Sequence, residues 1–370
     1  MAVVVSCVIL PGCSNEENVY GDDSSGTLFV PGDSEVEILL SLSNQSGIAI
    51  DKRAAIDGDG DFENMGVFCL ARQKQDINAS PEDINWFSTD EASATACIMN
   101  NVQARKTGGD VTWMDADKHY YYPISQFYSY DFYGYYPYVT GNDITAMDNR
   151  VEVTYELDGT KDIIWGRATS NEQYAYSATY FRQSGNKGRY PTLDLKHVMT
   201  RFKFQVAPGA EVEGGDEVSP AMKDYAVSKV MIVNAAAKAV LTVADFNQMT
   251  ALDETNCLTG SGYTSYVLCD EEGTPIEPVM VGMDMNTMTS LGESILAIPQ
   301  SEYIVRVTLV NMSTGDEFVT EHPLKLINSS TFQPGHTYTV TITAHEPKEV
   351  QLQANLNAWV DAEDNPSVNL

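Results

Sequence analysis

The chain has 370 residues and a formal net charge of −30, from 52 Asp and Glu against 22 Lys and Arg. So acidic a surface argues against nucleic acid or an anionic membrane face as partner, because phosphate binding needs clustered Lys and Arg; the plain role of the acids is to keep a secreted protein soluble. With 43% hydrophobic residues the chain can build cores for two ordinary domains, and its 20 Tyr and 12 Phe, many beside Thr and Val, favour strands over helices.

The N-terminus carries an address. Ala2 to Leu10 (AVVVSCVIL) is an apolar run of signal-peptide core length, with no Lys or Arg before it and Leu10-Pro11-Gly12-Cys13 at its end. A short apolar core, a small residue and then Cys reads as a lipoprotein signal peptide over residues 1–12, with Cys13 as the lipidated (palmitate-bearing) first residue; an ordinary secretory signal with a chance Cys is the alternative. Residues 13–34, rich in Gly, Ser and acids, read as a flexible tether. No other stretch is long and apolar enough to span a bilayer, so anchoring to the outer membrane is expected through lipid alone.

A first strand follows at 35–44. In Glu35 to Ser43 (EVEILLSLS), Val36, Ile38, Leu40 and Leu42 share one face. Behind it stand the basic pair Lys52-Arg53 and the acidic turn Asp57-Gly58-Asp59-Gly60-Asp61. Alternating Asp suits a hard cation, but Phe62 replaces the EF-hand turn glycine and Phe68 the bidentate Glu, so an acidic surface turn is expected and no metal. Met65 to Ala71 is a compact apolar run. Residues 72–110 look polar and irregular, and parts of EASATACIMNNVQ are compatible with helix.

Next comes an aromatic block, HYYYPI at 119–124 and YDFYGYYPYV at 130–139. Stacking on sugar rings is one reading of it; core packing with hydroxyls at the rim is favoured. Trp86, Trp113, Trp165 and Trp359 carry the same ambiguity. Further strands are expected at 151–157, 161–166 and 193–206. The N-terminal domain then spans 35–208, a Gly, Pro and acid-rich linker 209–222, and the C-terminal domain 223–370. Repeated short strands separated by turns favour antiparallel sandwiches over a parallel α/β sheet.

The last strand, 349–360 (EVQLQANLNAWV), alternates throughout: Val350, Leu352, Ala354, Leu356, Ala358 and Val360 face one way. Two terminal strands of matching pattern, one with a cleavable pair behind it, suit a polymer subunit that loses its own strand and accepts a neighbour's. Two ordinary edge strands of a monomer are the alternative.

Catalytic chemistry is not visible. The five His are scattered, and there is no HExxH, GxSxG, P-loop or Rossmann glycine pattern. No enzyme activity and no cofactor are expected. Beyond Cys7 and Cys13, the cysteines are Cys69, Cys97, Cys257 and Cys269, without a CxxC pair. Cys69 reads as a buried thiol; a Cys257–Cys269 disulfide is left open by spacing.

Gln333 to Thr343 (QPGHTYTVTIT) resembles the turn-plus-strand signature of fimbrillins, the Mfa-like and FimA-like major subunits of type V pili. The Tyr-Tyr-Pro blocks at 121–123 and 135–137, LKHVMTRFKFQV at 195–206, ILAIPQ at 295–300, the lipoprotein start and the alternating final strand fit the same pattern. The resemblance implies two tandem transthyretin-like antiparallel β-sandwich domains, export as an outer-membrane lipoprotein, and trimming by an Arg-specific surface protease. It also implies that the next subunit's last strand fills the vacated groove, giving a homopolymeric extracellular fimbrium that can touch host or bacterial surface glycans or proteins. Carried onto this sequence, the cut falls between Arg53 and Ala54, the lost strand holds Val36, Ile38, Leu40 and Leu42, and the donor row runs from Val350 to Val360. Arg72 is a second candidate cut, less exposed because it follows an apolar strand. A monomeric glycan-binding lipoprotein and a tip or accessory adhesin of the same pilus are the rival readings.

Overall fold

The computed structural model describes residues 36–43, 62–74, 84–90, 95–124, 128–172, 174–183, 185–186, 189–207, 222–281, 288–326, 331–346 and 348–358. In chain order the first strands are β1 (Leu40–Leu42), β2 (Phe62–Lys74), β3 (Cys97–Thr107), β4 (Asp110–Trp113), β5 (Tyr128–Tyr136), β6 (Ile144–Met147), β7 (Arg150–Glu156), β8 (Ile164–Ala168), β9 (Thr192–His197) and β10 (Thr200–Val206). The rest are β11 (Tyr225–Ala235), β12 (Lys238–Asp245), β13 (Leu258–Ser261), β14 (Thr264–Val267), β15 (Val279–Met280), β16 (Thr289–Ala297), β17 (Tyr303–Asn311), β18 (Glu317–Leu324), β19 (His336–Glu346) and β20 (Glu349–Ala358). A five-residue helix, α1 (Ala178–Arg182), starts at Ser177, whose hydroxyl accepts the Tyr180 amide at 3.2 Å. The protein is all-β.

Alternation sets the faces. Val151, Val153 and Tyr155 on β7, and Leu193 and Leu195 on β9, are buried while the residues between them are not. The first sheet has the order β1-β4-β3-β2-β5-β8-β9 and closes on itself, because β1 pairs antiparallel with β4 and parallel with β9. Its centre is the aromatic block: Tyr128, Tyr130, Phe132, Tyr133 and Tyr135 on β5 are all at most 2% exposed, as core packing requires. Gly166 on β8 lets β9 approach; a Cβ there would sit 2.0 Å from the Asp194 carbonyl oxygen.

Among the described residues of EASATACIMNNVQ, Thr95 to Gln103, there is no helix. Cys97–Thr107 is strand β3, held between β2 and β4. Its Met, Gln, Ala, Arg and Lys content leans towards helix, but two flanking ladders outweigh a propensity worth tenths of a kcal/mol per residue.

In the second half the sheets β16-β10-β19-β20 and β14-β11-β17-β18 face one another. Phe202 on β10 meets Tyr303 on β17 with ring centroids 4.7 Å apart, and Phe332 meets Tyr338 on β19 at 4.8 Å, so the sandwich is filled by aromatic rings. The turn ahead of β19 needs Gly335, which has φ +65° and donates its amide to the Met199 carbonyl at 2.8 Å.

Strand pairing does not divide at the expected 209–222 linker. Strand β10, assigned by sequence to the first domain, runs parallel to β19 and antiparallel to β16, so the changeover lies between His197 and Thr200. The cause is local: Leu193 to Val206 reads as one strand but turns at Val198-Met199, which sends its second part to the other sheet. A further sheet, β13-β12-β7-β6, takes a hairpin from each half. Trp165 on β8 donates its indole N–H to the Val243 carbonyl on β12 at 2.8 Å. One apolar core runs through both halves.

Candidate functional site

The N-terminal segment 36–43 lies in the seam of the closed sheet. Ile38, Leu40 and Leu42 are 0%, 3% and 6% exposed, and Val36 packs half-buried against the same core. Leu40 stands opposite Val111 on β4, and Leu42 opposite Leu193 on β9. The alternation read from sequence is thus the alternation that buries, with Leu39 on the other face at 42% exposed.

Main-chain bonds hold the segment from both flanks. The Ile38 amide donates to the Tyr120 carbonyl at 2.8 Å, and the Tyr122 amide donates back to the Val36 carbonyl at 2.9 Å. The Leu42 amide reaches the Gly109 carbonyl at 2.8 Å; those of Ser41 and Ser43 reach Pro191 and Leu193 at 3.0 and 2.9 Å. Outside the seam, Ser41 and Thr192 hydroxyls meet at 2.9 Å, and Glu37 Oε1 lies 2.5 Å from His119 Nδ1. Beside the segment a cavity of about 160 Å³ opens between Val36, Leu39, Tyr122, Phe181, Arg189 and Tyr190. The segment is therefore a filler between two strands rather than an edge. If it left, both flanks would lose their ladder and the apolar seam would meet water.

The second predicted strand sits differently. Strand β20 ends its sheet among the described residues and pairs only with β19, from Val350 opposite Ala344 to Ala358 opposite His336. Burial fades along its apolar row: Val350 is 5% exposed, Leu352 and Ala354 are half-buried, and Leu356 is 36% exposed. The end of this strand is thus held mainly by its backbone ladder.

Cys13, Arg53, Ala54, Asp57, Asp59, Asp61, Trp359 and Val360 lie outside the described residues. Arg72 is inside β2, its Nε 3.5 Å from Oδ1 of Asp131, which is 1% exposed. A protease reaches such a residue only after β2 leaves β5. Burial pushes the Asp131 carboxyl up to about 7, with Arg72 and Arg167 pulling the other way. Cys69, Cys97, Cys257 and Cys269 are all free thiols; burial raises Cys97 to about 12, so it stays protonated. Trp86 and Trp165 are buried, and Trp113 packs edge-on against Tyr120 with centroids 5.4 Å apart. No group of three or more His, Cys, Asp or Glu suited to a metal occurs among the described residues.

Sequence reading missed the groups that hold the N-terminal segment. They are main-chain atoms of Gly109, Tyr120, Tyr122, Pro191 and Leu193, brought together only when the sheet closes. The one signal in the sequence is the alternation of β9 itself.

An all-β protein with a plugged seam and a C-terminal edge strand is the class the fold defines. The fimbrillin-like family model matches residues 63–359, and the chain belongs to that family. No curated protein matches the sequence. Among solved structures, a candidate cell adhesion protein from Bacteroides uniformis is 15% identical with a TM-score of 0.48, over 90% of this chain and 100% of that one. The tip fimbrial protein Mfa3 of Porphyromonas gingivalis, solved with a C-terminal truncation, is 10% identical with a TM-score of 0.42, over 88% and 100%. The fimbrial anchor protein Mfa2 of the same organism is 9% identical with a TM-score of 0.34, over 87% and 98%. Family membership supports a role as a pilus subunit or adhesin at the cell surface, with other fimbrillin subunits as partners.

Proposed function

We propose that the chain is a structural pilin: exported as a lipoprotein through Cys13, cut between Arg53 and Ala54 by an Arg-specific surface protease, and joined to other subunits by strand exchange. The observation that carries this is the position of segment 36–43, which fills the seam of a closed sheet between β4 and β9 while burying Ile38, Leu40 and Leu42. Cleavage behind such a segment turns a covalent part of the fold into a bound peptide. What is left when it dissociates is an apolar groove flanked by two unsatisfied strand edges, a template for another strand. Burying three or four aliphatic side chains there contributes on the order of 5–10 kcal/mol before ordering costs. Register is enforced because a slip of one residue turns the whole row outward. Strand β20 has the alternating row and, among the described residues, pairs on one side alone, as a donor should, and a head-to-tail contact that does not close on itself grows into a filament.

Limited trypsin digestion followed by native gels tests this. Loss of the residues before Ala54 should produce a ladder of oligomers that a variant lacking both basic residues, Lys52→Ala with Arg53→Ala, does not form. A chain that loses the segment and stays monomeric refutes strand exchange. The exposed Tyr121 and Tyr190, 40% and 50% accessible close to the cavity, favour a second reading as an adhesin that keeps its segment. Binding of the uncut chain to mannan or mucin glycans would support it.

A further inference from the structure

The groove and the chain's own donor row do not match in size. The seam encloses three consecutive alternate side chains, Ile38, Leu40 and Leu42, at 0%, 3% and 6% exposed, each a four-carbon aliphatic. The C-terminal row reads Val350, Leu352, Ala354, Leu356, Ala358, Val360. Any three consecutive members of it include Ala354 or Ala358. This holds for either strand direction and for every register that keeps the apolar face inward. The best alignment puts Val350, Leu352, Ala354 and Leu356 on the sites of Val36, Ile38, Leu40 and Leu42, and places Ala354 opposite Val111. A methyl group then stands where an isobutyl group was, on the buried face of the seam, where Leu40 is 3% exposed. Close-packed surroundings relax only in part around the smaller side chain, so a void remains.

We propose that the preferred occupant of this groove is not a second copy of this chain but a donor strand from a different subunit. That strand would carry Val, Ile or Leu at four successive alternate positions. The inference rests on the strand-exchange reading given above and narrows its partner from a homopolymer neighbour to a heterologous one. The acceptor end selects for bulk at the site of Leu40, while the chain's own strand β20 is left for a more tolerant groove.

The test uses the full chain, cut with trypsin and offered three labelled peptides: residues 349–360, the same peptide with Ala354→Leu, and residues 35–43. Capture is read by native gel and anisotropy. The Ala354→Leu peptide is expected to be captured at least tenfold more tightly than the unaltered 349–360 peptide. Equal capture, or tighter capture of the unaltered peptide, overturns the size preference and leaves strand exchange standing. Capture of the 35–43 peptide with neither C-terminal peptide bound overturns strand exchange itself, and the preference with it. A second measurement needs no cleavage. In the uncut chain, Leu40→Ala should raise hydrogen exchange at the Ser41, Leu42 and Ser43 amides at least tenfold, whereas Leu39→Ala should not. Unchanged exchange in Leu40→Ala would show that the site does not require bulk, and would overturn the proposal.

Discussion

Leu42 and Leu193 are parallel partners, and their pairing helps close a sheet that would otherwise end at β9. Parallel neighbours need a long connection between them, and here most of the first half of the chain supplies it. Segment 36–43 therefore joins late-arriving contacts on both flanks. It is also the part of the sheet with the shortest ladder, since β1 spans only Leu40–Leu42.

The donor row offers the simplest substitutions. Leu356 is 36% exposed and Leu352 half-buried in the uncut chain, so Leu356→Asp should cost the folded monomer no more than about 1 kcal/mol. In a neighbour's groove the same carboxylate would be buried without a partner, at a cost of several kcal/mol. Leu352→Asp and Leu356→Asp are expected to leave the circular dichroism spectrum of the uncut chain unchanged and to abolish oligomer ladders after cleavage. Normal ladders would remove β20 from the donor role.

The wall of the seam is sensitive to bulk. Gly166 opposes Leu195 across β8 and β9, and a Cβ at 166 would overlap the Asp194 carbonyl. Gly166→Ala should push β9 away from β8 and destabilise the chain by about 3 kcal/mol. Urea unfolding of the variant checks this; a loss below about 0.5 kcal/mol would mean that β9 is not packed as closely as described.

Asp131 gives the stability a pH dependence. Burial holds its carboxyl at about 7 in the folded chain, against about 3.9 when unfolded. The folded state therefore binds the proton that the unfolded state has released. Its contribution is complete below pH about 4 and is lost as pH rises towards 7, by no more than about 1.4 kcal/mol per pH unit. Asp131→Asn should remove this slope, so the stability of the variant relative to the native chain should rise between pH 4 and pH 7. Parallel stability curves would show that Arg72, 3.5 Å away, keeps Asp131 ionised throughout.

Much of the architecture was legible because burial follows alternation. The rows on β7, on β9 and on the segment from Val36 to Leu42 were readable before any coordinates, since a half-buried strand writes its face into the sequence with period two. Strand β3 was not, because its side chains are mostly half-buried and helix-compatible, and its identity comes from ladders with β2 and β4. The destination of β10 was hidden for a related reason. Phe202, Phe204 and Val206 announce an apolar face, but nothing in them says that the face joins β19 and not β9. At the site, the side chains were visible and their partners were not. Leu40 could be marked as inward-facing, yet Val111, Gly109 and Pro191 meet the segment only through closure of the sheet. The hydrophobic period of a strand is local; the identity of its neighbour is a long-range fact.

A cross-link between copies addresses strand exchange most directly. One chain carries Val111→Cys, beside the site of Leu40, and a second carries Ala354→Cys. The two are mixed in equal amounts, cut with trypsin and exposed to mild oxidant. With no bulkier donor in the mixture, exchange between copies still places position 354 of one against position 111 of another, so a disulfide-linked heterodimer should form after cleavage and be absent from the uncut mixture. No cross-link after complete loss of the N-terminal segment, or the same yield with and without cleavage, would contradict it.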